Sequence, residues 1–300
     1  SHEDLFTTTG ISSTLDLLCT LYTQPGDTVF VEEPTYFLAL RIFADHGLRV
    51  ISISTDVDGL DLDELSQALK EHQPKFVYVI PSFQNPSGHT LPPERRTRLI
   101  ELAQKHNFLI IADEVYQFLG YTQSPPASFG THIDSGHVIA LGSFSKILAP
   151  GLRLGWLHSN PDVIQRIVTC GVLDSAGGLN PFTSSIVRGL IEKGDLDKNI
   201  ANLVGELGRR MQAMDEAIKT HLPQVKYTSP HGGYFFWLQA PGVDTQELQK
   251  RAKEFQVGLR PGIRFSSRNG LTDHFRLSIS HYGVDDIEEG ILRLKKCIVV

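Results

Sequence analysis

Short apolar stretches that have the composition of buried strands alternate with helical patterns along the first part of the chain. The stretch 76–80 is rich in β-branched and aromatic residues, and the stretch 108–112 is wholly apolar. Chains that alternate in this way fold into a mostly parallel sheet with right-handed crossovers. After about residue 195 the pattern changes, beginning with a long amphipathic helix over 199–221. We therefore predict an α/β large domain over residues 1–195 and a smaller α+β C-terminal domain over residues 196–300.

Composition and charge exclude several classes of function. The 300 residues are 41% hydrophobic and 21% charged, as in ordinary globular proteins. The formal net charge is −6 without a long basic run, so we predict no nucleic-acid partner. No apolar run is long enough to span a bilayer, and no signal peptide is recognisable, so we predict no membrane association. The cysteines are few and widely spaced, which favours the cytoplasm. No Cys-x-x-Cys or His-Glu-x-x-His pattern occurs, so no metal site is predicted.

The stretch 141–155 combines a lysine with groups that suit a phosphate. Lys146 follows the apolar strand 138–141. Among apolar neighbours the pKa of a lysine falls, and its amine becomes a nucleophile that forms a Schiff base with an aldehyde. The hydroxyls of Ser143 and Ser145 and the guanidinium of Arg153 suit a phosphate. An aldehyde that carries a phosphate is pyridoxal 5'-phosphate (PLP).

Other interpretations of this stretch stay open on local grounds. A lysine that follows a strand most often lies at the surface. Ser143-x-x-Lys146 also matches the S-x-x-K pattern of serine acyl-transferring enzymes, although the companion K-T-G is absent. A nucleotide phosphate loop is excluded, because the pattern G-x-x-x-x-G-K-[ST] does not fit.

Five residues with chemically useful properties lie just past the ends of predicted strands. They are Gly10, Tyr36, Asn85, Asp113 and Lys146. Ligands of parallel α/β sheets bind beyond the carboxyl ends of the strands. The shared placement of these residues therefore predicts a single site at that edge of the sheet.

Several of these residues also have ordinary structural explanations. Gly10, Ile11 and Ser12 lead into a helix predicted over residues 15–22, and the free backbone N–H groups at such a helix start bind anions, but Ser12 or Ser13 is also a common helix cap. Asn85 precedes a proline and suits a turn. Tyr36 can stack on a flat ring or pack in a core.

Two charged residues in apolar strands need partners. Asp113 ends the strand 108–112, and a carboxylate there is costly unless it is paired, with a surface salt bridge as the plain alternative. Tyr116, three residues later, can face the same way. Arg276 lies within an apolar strand and suits the bidentate binding of a carboxylate. Further arginines either bind a second carboxylate or lie solvated at the surface: Arg260, Arg264 and Arg268.

Five short motifs follow one another along the chain. They are Glu33-Pro-Thr-Tyr36, Asn85-Pro-Ser-Gly88, Asp113-Glu-Val-Tyr116, Ser143-x-Ser-Lys146-x-x-x-Pro-Gly-x-Arg153 and Phe275-Arg-Leu-Ser278. In this order and spacing they resemble the class I aminotransferases, which are fold-type I PLP enzymes. The branch with 2-aminoadipate and kynurenine aminotransferases is the most similar. The resemblance covers nearly the whole chain. It implies the PLP-transferase fold and ping-pong transfer of an amino group from an L-amino acid to a 2-oxo acid.

The resemblance also implies a role for each candidate residue. Lys146 holds PLP and then moves protons, while Asp113 pairs with the pyridine nitrogen. Asn85 and Tyr116 bind the phenolic oxygen of the ring, and Tyr36 stacks on the ring. The phosphate is expected at Gly10, Ile11, Ser12, Ser143, Ser145 and Arg153, and the substrate α-carboxylate at Arg276 with Asn85.

The chain departs from the family pattern in two respects. The family often has Gly-Ser-Gln-Gln where this chain has Gly10-Ile-Ser-Ser13, so we expect one hydroxyl contact to be lost at Ile11. The resemblance also implies a further N-terminal segment that completes the small domain, so we expect these residues to be a fragment of a homodimeric enzyme. The alternative functions are another fold-type I PLP enzyme of the β-lyase type and a non-catalytic PLP-sensing regulatory domain.

Overall fold

A large mixed sheet forms the centre of the first half of the molecule. The computed structural model describes residues 2–176 and 178–298. Within them, eight strands join in the order β1-β8-β7-β6-β5-β2-β3-β4. The strands are β1 (Leu5–Thr8), β2 (Thr28–Glu33), β3 (Arg49–Asp56), β4 (Gly59–Leu60), β5 (Phe76–Val79), β6 (Leu109–Asp113), β7 (Val138–Ser143) and β8 (Gly155–Ser159).

The central strands are parallel and buried on both faces. β2, β3, β5, β6 and β7 pair in parallel, whereas β1, β8 and β4 add antiparallel edges. Every residue of β5 and β7 is buried. Strands covered on both faces are continuously apolar, which explains why these stretches lack the alternation of a half-exposed strand. The predicted mostly parallel sheet is confirmed.

Helices cover both faces of the sheet and form much of the C-terminal part. They are α1 (Ile11–Tyr22), α2 (Phe37–Asp45), α3 (Leu62–Glu71), α4 (Pro93–His106), α5 (Pro161–Val168), α6 (Gly171–Ala176), α7 (Pro181–Glu192), α8 (Asp195–His221), α9 (Thr245–Glu254) and α10 (Val284–Cys297). Side chains from these helices and from the sheet form two buried clusters.

A second, three-stranded antiparallel sheet lies in the C-terminal part. It has the order β10-β11-β9 and comprises β9 (Phe235–Gln239), β10 (Arg260–Pro261) and β11 (His274–Ser278). One apolar cluster joins Ile139 and Ile147 of the first part to Phe236 and Leu277 of this sheet. The two parts therefore share packed surface, and the division at residue 195 stays a prediction.

The structure differs from the sequence-based elements near the start of α1. The periodic apolar pattern predicts a helix from Leu15, but α1 begins at Ile11 with Gly10 as its N-cap. The serines do not cap this helix, since Gly10 occupies the cap position and no side chain caps the end. Ser13 Oγ instead donates to Gly10 O at 3.0 Å. The helix entrance therefore keeps its backbone N–H groups available.

Candidate active site

A cavity of about 310 Å³ opens at the carboxyl edge of the parallel strands. Its walls are formed by residues that follow β2, β5, β6 and β7, together with the start of α1 and strand β11. The residues to which the resemblance assigns a role at the cofactor or substrate line this cavity, with the exception of Gly10. They are Ile11, Ser12, Tyr36, Asn85, Asp113, Tyr116, Ser143, Ser145, Lys146, Arg153 and Arg276.

Lys146 lies in the turn that follows β7 and is half-buried. Burial lowers the pKa of its amine, and the positive charges of Arg276 and Arg153 lower it further, whereas the nearby Asp113 carboxylate raises it. The net direction is downward, so more of the amine is neutral than in a solvated lysine. A neutral amine is the nucleophilic form, so the pKa of Lys146 shifts in the direction that a Schiff-base lysine needs.

Asp113 is the last residue of β6 and is 2% exposed. Its Oδ2 accepts a hydrogen bond of 2.7 Å from the hydroxyl of Tyr78, which is fully buried on the neighbouring strand β5. Burial raises the pKa of Asp113 to about 7, although the bond from Tyr78 and the charge of Lys146 oppose the rise. The site thus holds a buried carboxyl that would be stabilised as an anion by a cation in the cavity. The surface salt bridge considered for Asp113 is not what the structure shows.

The entrance of α1 and the loop after β7 form a cluster of anion-binding groups. The Arg153 guanidinium donates to Thr9 O at 3.1 Å. It also lies so close to Gly10 that a Cβ there would be 2.9 Å from Arg153 Nη2. Gly10 has a φ of +103°, which side chains rarely adopt. A glycine is therefore required here, and its absent side chain leaves room for Arg153 beside the helix entrance.

Two serines of the lysine loop lie beside this cluster. Ser143 Oγ is 3.0 Å from Ser145 Oγ and accepts from Ser145 N at 3.1 Å. Both side chains line the cavity. Hydroxyl groups, a guanidinium and the N–H groups of a helix start together form a donor set suited to a phosphate.

Arg276 reaches the cavity from β11 and contacts Asn85. Its Nη1 donates to Asn85 Oδ1 at 2.6 Å. The guanidinium carbon also lies 3.9 Å from the ring centre of Phe235 and 4.9 Å from that of Phe265. The sequence suggested that Arg276 needs an anionic partner, whereas its partner here is a neutral amide. Burial lowers its pKa to about 10, which still leaves it charged at neutral pH.

Two tyrosines complete the walls. Tyr36 is the N-cap residue of α2, is half-buried and is hydrogen-bonded to Ser12. Tyr116 is 3% exposed, and its ring centre lies 5.6 Å from that of Tyr234 and 5.9 Å from that of Phe235. Burial raises the pKa of Tyr116 well above its ordinary value, so the phenol stays protonated and is a hydrogen-bond donor at neutral pH.

The arginines with open roles take different positions. Arg268 donates to Ser52 O and to the Glu64 carboxylate, so its side chain ties β3 and α3 to the C-terminal part. Arg260 lies directly opposite Arg276 in the β10–β11 pair and is exposed. Arg264 is exposed. The interpretation as a second carboxylate site is therefore not supported for Arg268.

Sequence analysis identified neither the role of Tyr78 nor the contact that Tyr234 makes with the lysine loop. Tyr78 lies inside an apolar strand, where a tyrosine is an ordinary core residue. The one available signal was its place on the strand next to the one that ends in Asp113. Tyr234 OH donates to the backbone carbonyl of Lys146 at 2.9 Å, a contact across 88 positions that no local pattern indicates.

The donor set of the cavity fits PLP. A nucleophilic lysine, a buried carboxyl and a cluster of phosphate-binding groups are the features that PLP requires of a protein. The family model for class I and II aminotransferases matches residues 1–294 of the chain. The chain belongs to this family.

Individual relatives of this aminotransferase agree. Aromatic-amino-acid aminotransferase 1 of Thermococcus litoralis is 36% identical over 306 residues, with 99% of this chain and 73% of the relative covered. The 2-aminoadipate transaminase of Thermus thermophilus is 32% identical over 301 residues, with 99% of this chain and 75% of the relative covered.

A solved structure gives the same answer for the fold. The kynurenine aminotransferase of Pyrococcus horikoshii in complex with PMP superposes with a TM-score of 0.93 at 35% identity, covering 98% of this chain and 74% of that one. The chain is therefore a PLP-dependent aminotransferase of fold type I, as the sequence predicted. It transfers an amino group between an amino acid and a 2-oxo acid.

Two other kinds of feature are absent from the part of the chain that the structure describes. Within residues 2–176 and 178–298, no helix has both the length and the apolar character needed to cross a bilayer. In the same residues, no group of three or more His, Cys, Asp and Glu side chains is placed to hold a metal ion.

Proposed function

We propose that Lys146 holds the cofactor of this aminotransferase and that the other residues lining the cavity have the roles implied by their motifs. One observation carries the proposal. A lysine with a lowered pKa shares a single cavity with a buried carboxyl, a phosphate-binding donor set and an arginine suited to carboxylates. These groups come from distant parts of the chain, so their meeting does not follow from any one motif.

When bound, PLP supplies a carbonyl for the lysine amine and a conjugated ring that accepts electrons from the substrate. The chain supplies the remaining functions. Lys146 Nζ would hold the cofactor and, as a free amine, would accept the proton that leaves the α-carbon of the amino acid. The lowered pKa favours this second task, because only the neutral amine can accept a proton.

The carboxylate of Asp113 would pair with a positively charged group bound in the cavity. Without a bound cation, the carboxyl of Asp113 has a pKa of about 7. A cation bound beside it would lower this pKa and keep the carboxyl ionised. Tyr78 fixes one oxygen of that carboxylate. We assign to Asp113 the pairing with the pyridine nitrogen.

Asn85, Tyr116 and Tyr36 orient the ring. Because Asn85 Oδ1 accepts from Arg276, the Asn85 Nδ2 group is left as a donor for a ring oxygen. Tyr116 adds a phenolic donor, and Tyr36 adds an aromatic face. Arg276 keeps further N–H donors beyond the one bound to Asn85, and it binds the α-carboxylate of the substrate.

We propose further that the protein is a cytoplasmic homodimer, with the PLP-binding domain over 1–195 and the small domain over 196–300. Apolar side chains of α6 and α7 support an interface, because Val172 is 69% exposed and Phe182 is 78% exposed. Phe182 and Ile186, which is 47% exposed, lie one turn apart on α7 and so share a face of that helix, and exposed apolar groups on one face are typical of association surfaces. Light scattering should give twice the chain mass, and Phe182→Asp should shift it toward the monomer. A monomeric wild-type protein at micromolar concentration would contradict this part.

The test of the site is reduction of the PLP-loaded protein with borohydride, followed by peptide mapping and an amino-donor screen. The label should lie on Lys146, and Lys146→Ala should lose both the label and the half-reaction with every donor. Lys198→Ala, which removes an exposed lysine paired with Asp195, is the matched control and should behave as wild type. A donor panel of aromatic amino acids, kynurenine and 2-aminoadipate covers the substrates in the names of the relatives. Turnover by Lys146→Ala, or a label on another lysine, would refute the assignment.

A further inference from the structure

Two consecutive backbone carbonyls of the lysine loop accept hydrogen bonds from the C-terminal part of the chain. Tyr234 OH donates to Lys146 O at 2.9 Å, and Asn199 Nδ2 donates to Ile147 O at 2.7 Å. Asn199 belongs to α8, and Tyr234 directly precedes β9. The main chain of the lysine is therefore attached to elements far from it in sequence.

Tyr234 contacts the lysine a second time through its ring. Lys146 Nζ lies 5.6 Å from the ring centre of Tyr234. The same ring packs against Tyr116 with centres 5.6 Å apart and against Phe235 with centres 6.1 Å apart. Aromatic neighbours on two sides hold the ring in place. Tyr234 thus contacts both the backbone and the amine of Lys146, whereas Asn199 is bonded to the next backbone carbonyl.

The two contacts act on the two quantities that determine where the amine lies. A lysine side chain has four flexible carbons, so the position of Nζ depends on where the chain starts and on what the amine packs against. The hydrogen bond to Lys146 O fixes the start. The ring face attracts a cationic amine and limits the directions open to a neutral one.

We propose that Tyr234 is a positioning residue that holds Lys146 for attack on the PLP carbonyl. Through it the C-terminal sheet, which also carries Arg276, sets the place of the nucleophile. The same small sheet thereby positions both the arginine proposed to bind the carboxylate and the reacting amine. The inference rests on the proposed function of Lys146 as the residue that carries PLP.

The experiment measures capture of PLP by the cofactor-stripped protein, which reports on Lys146 without turnover. Growth of the visible absorbance band gives the capture rate, and visible circular dichroism per bound cofactor reports its fixed orientation. Tyr234→Phe keeps the ring and removes one hydrogen bond, so we expect capture about 3–10-fold slower with altered dichroism. Tyr234→Leu removes both contacts and should slow capture further.

Tyr227→Phe is the matched control. Tyr227 belongs to the same part of the chain, and its hydroxyl also donates to a distant residue, to the Asp215 carboxylate at 2.9 Å and more weakly to the Asp215 backbone carbonyl at 3.3 Å. It should lower the melting temperature by an amount similar to that of Tyr234→Phe and leave the capture rate and the dichroism unchanged. Asn199→Ala should slow capture less than Tyr234→Leu does, because it leaves the ring contact intact.

The possible failures are separable. Borohydride mapping of the wild-type protein tests whether Lys146 is the attachment site at all, and a label elsewhere overturns the proposed function itself. If the label is on Lys146 and Tyr234→Phe captures PLP at the wild-type rate with unchanged dichroism, the positioning role is refuted. Equal slowing of capture by Tyr227→Phe would refute that role as well.

Discussion

Replacement of Asp113 by asparagine should stabilise the cofactor-free protein while it impairs the enzyme. The pKa of this carboxyl is about 7 in the folded protein instead of 3.8, chiefly because burial disfavours its charged form. Each tenfold change in proton affinity corresponds to about 1.4 kcal/mol, so ionisation of Asp113 costs the folded state roughly 4 kcal/mol relative to the unfolded state. An asparagine side chain at this position would be neutral at every pH and would avoid this cost.

The sign of the pH dependence follows from the raised pKa. Between pH 3.8 and about 7 the folded protein binds this proton more tightly than the unfolded chain does. The stability contributed by Asp113 therefore falls as pH rises through that window and is lowest above it. The amide fits the hydrogen bond from Tyr78 imperfectly and removes the favourable charge beside Lys146, which offsets about 1–2 kcal/mol of the gain. We therefore expect the free energies of unfolding of Asp113→Asn and wild type to be nearly equal at pH 5, and that of Asp113→Asn to be about 2 kcal/mol larger at pH 8.

Urea unfolding of the cofactor-free proteins at pH 5 and pH 8 checks this prediction. The gap between Asp113→Asn and wild type should widen by roughly 2–3 kcal/mol between the two pH values. Asp56→Asn is the control that should show no change between these two pH values, because the hydrogen bond from Arg95 lowers the pKa of Asp56 below 3.8 and its stabilising effect is lost only at more acidic pH. In the PLP-loaded enzyme, Asp113→Asn should lower the rate of transamination about a hundredfold or more. A gap that does not change with pH would refute the buried-carboxyl argument.

Two further predictions follow from contacts in and beside the site. Arg276→Lys removes the proposed bidentate binding of the carboxylate, worth about 1.5–3 kcal/mol, so steady-state kinetics should show the KM for the amino acid raised roughly 10–150-fold. Arg264→Lys changes an exposed arginine and should leave this KM unchanged. An unaltered KM in Arg276→Lys would contradict bidentate binding. Gly142→Ala would place a Cβ in steric overlap with the Trp156 ring, so thermal unfolding should show a loss of stability of about 1–3 kcal/mol. Gly205→Ala on α8 would place a Cβ where no atom lies within contact distance, and it should stabilise the protein by about 0.5–1 kcal/mol. Equal effects of the two glycine substitutions would show that contact with Trp156 does not determine the outcome.

The parts of the fold that the sequence predicts best are those in which local composition and burial agree. β5 and β7 are buried along their whole length and consist of apolar, aromatic or small residues, so their positions could be predicted from composition. The placement of Asp113 and Lys146 followed, because strand ends in a parallel sheet meet at one edge. The motifs then added roles that spacing alone does not supply.

Some features escaped prediction because they depend on distant contacts, and others because their local pattern is short. No local pattern indicates that Tyr78 donates to Asp113, because a tyrosine in an apolar strand is satisfied by many kinds of partner. Helix α5 begins at Pro161 after an asparagine cap and buries Val163 and Ile167, a short pattern without a long periodic run to mark it. The start of α1 was misplaced because Gly10 is a poor helix former whose value lies in its positive φ and the room it leaves for Arg153.

With the roles proposed above, the hydrogen bond between Arg276 and Asn85 would join recognition of the substrate to control of the cofactor. Asn85 Oδ1 accepts a hydrogen bond from the same guanidinium to which we assign the substrate carboxylate. A carboxylate bound there would compete for the N–H donors of Arg276 and would weaken its hydrogen bond to Asn85. Occupancy of the substrate site would then be transmitted through one side chain to the residue assigned to the cofactor ring. The two half-reactions place different substrates on one arginine, and each arrival would retune the ring through the same amide.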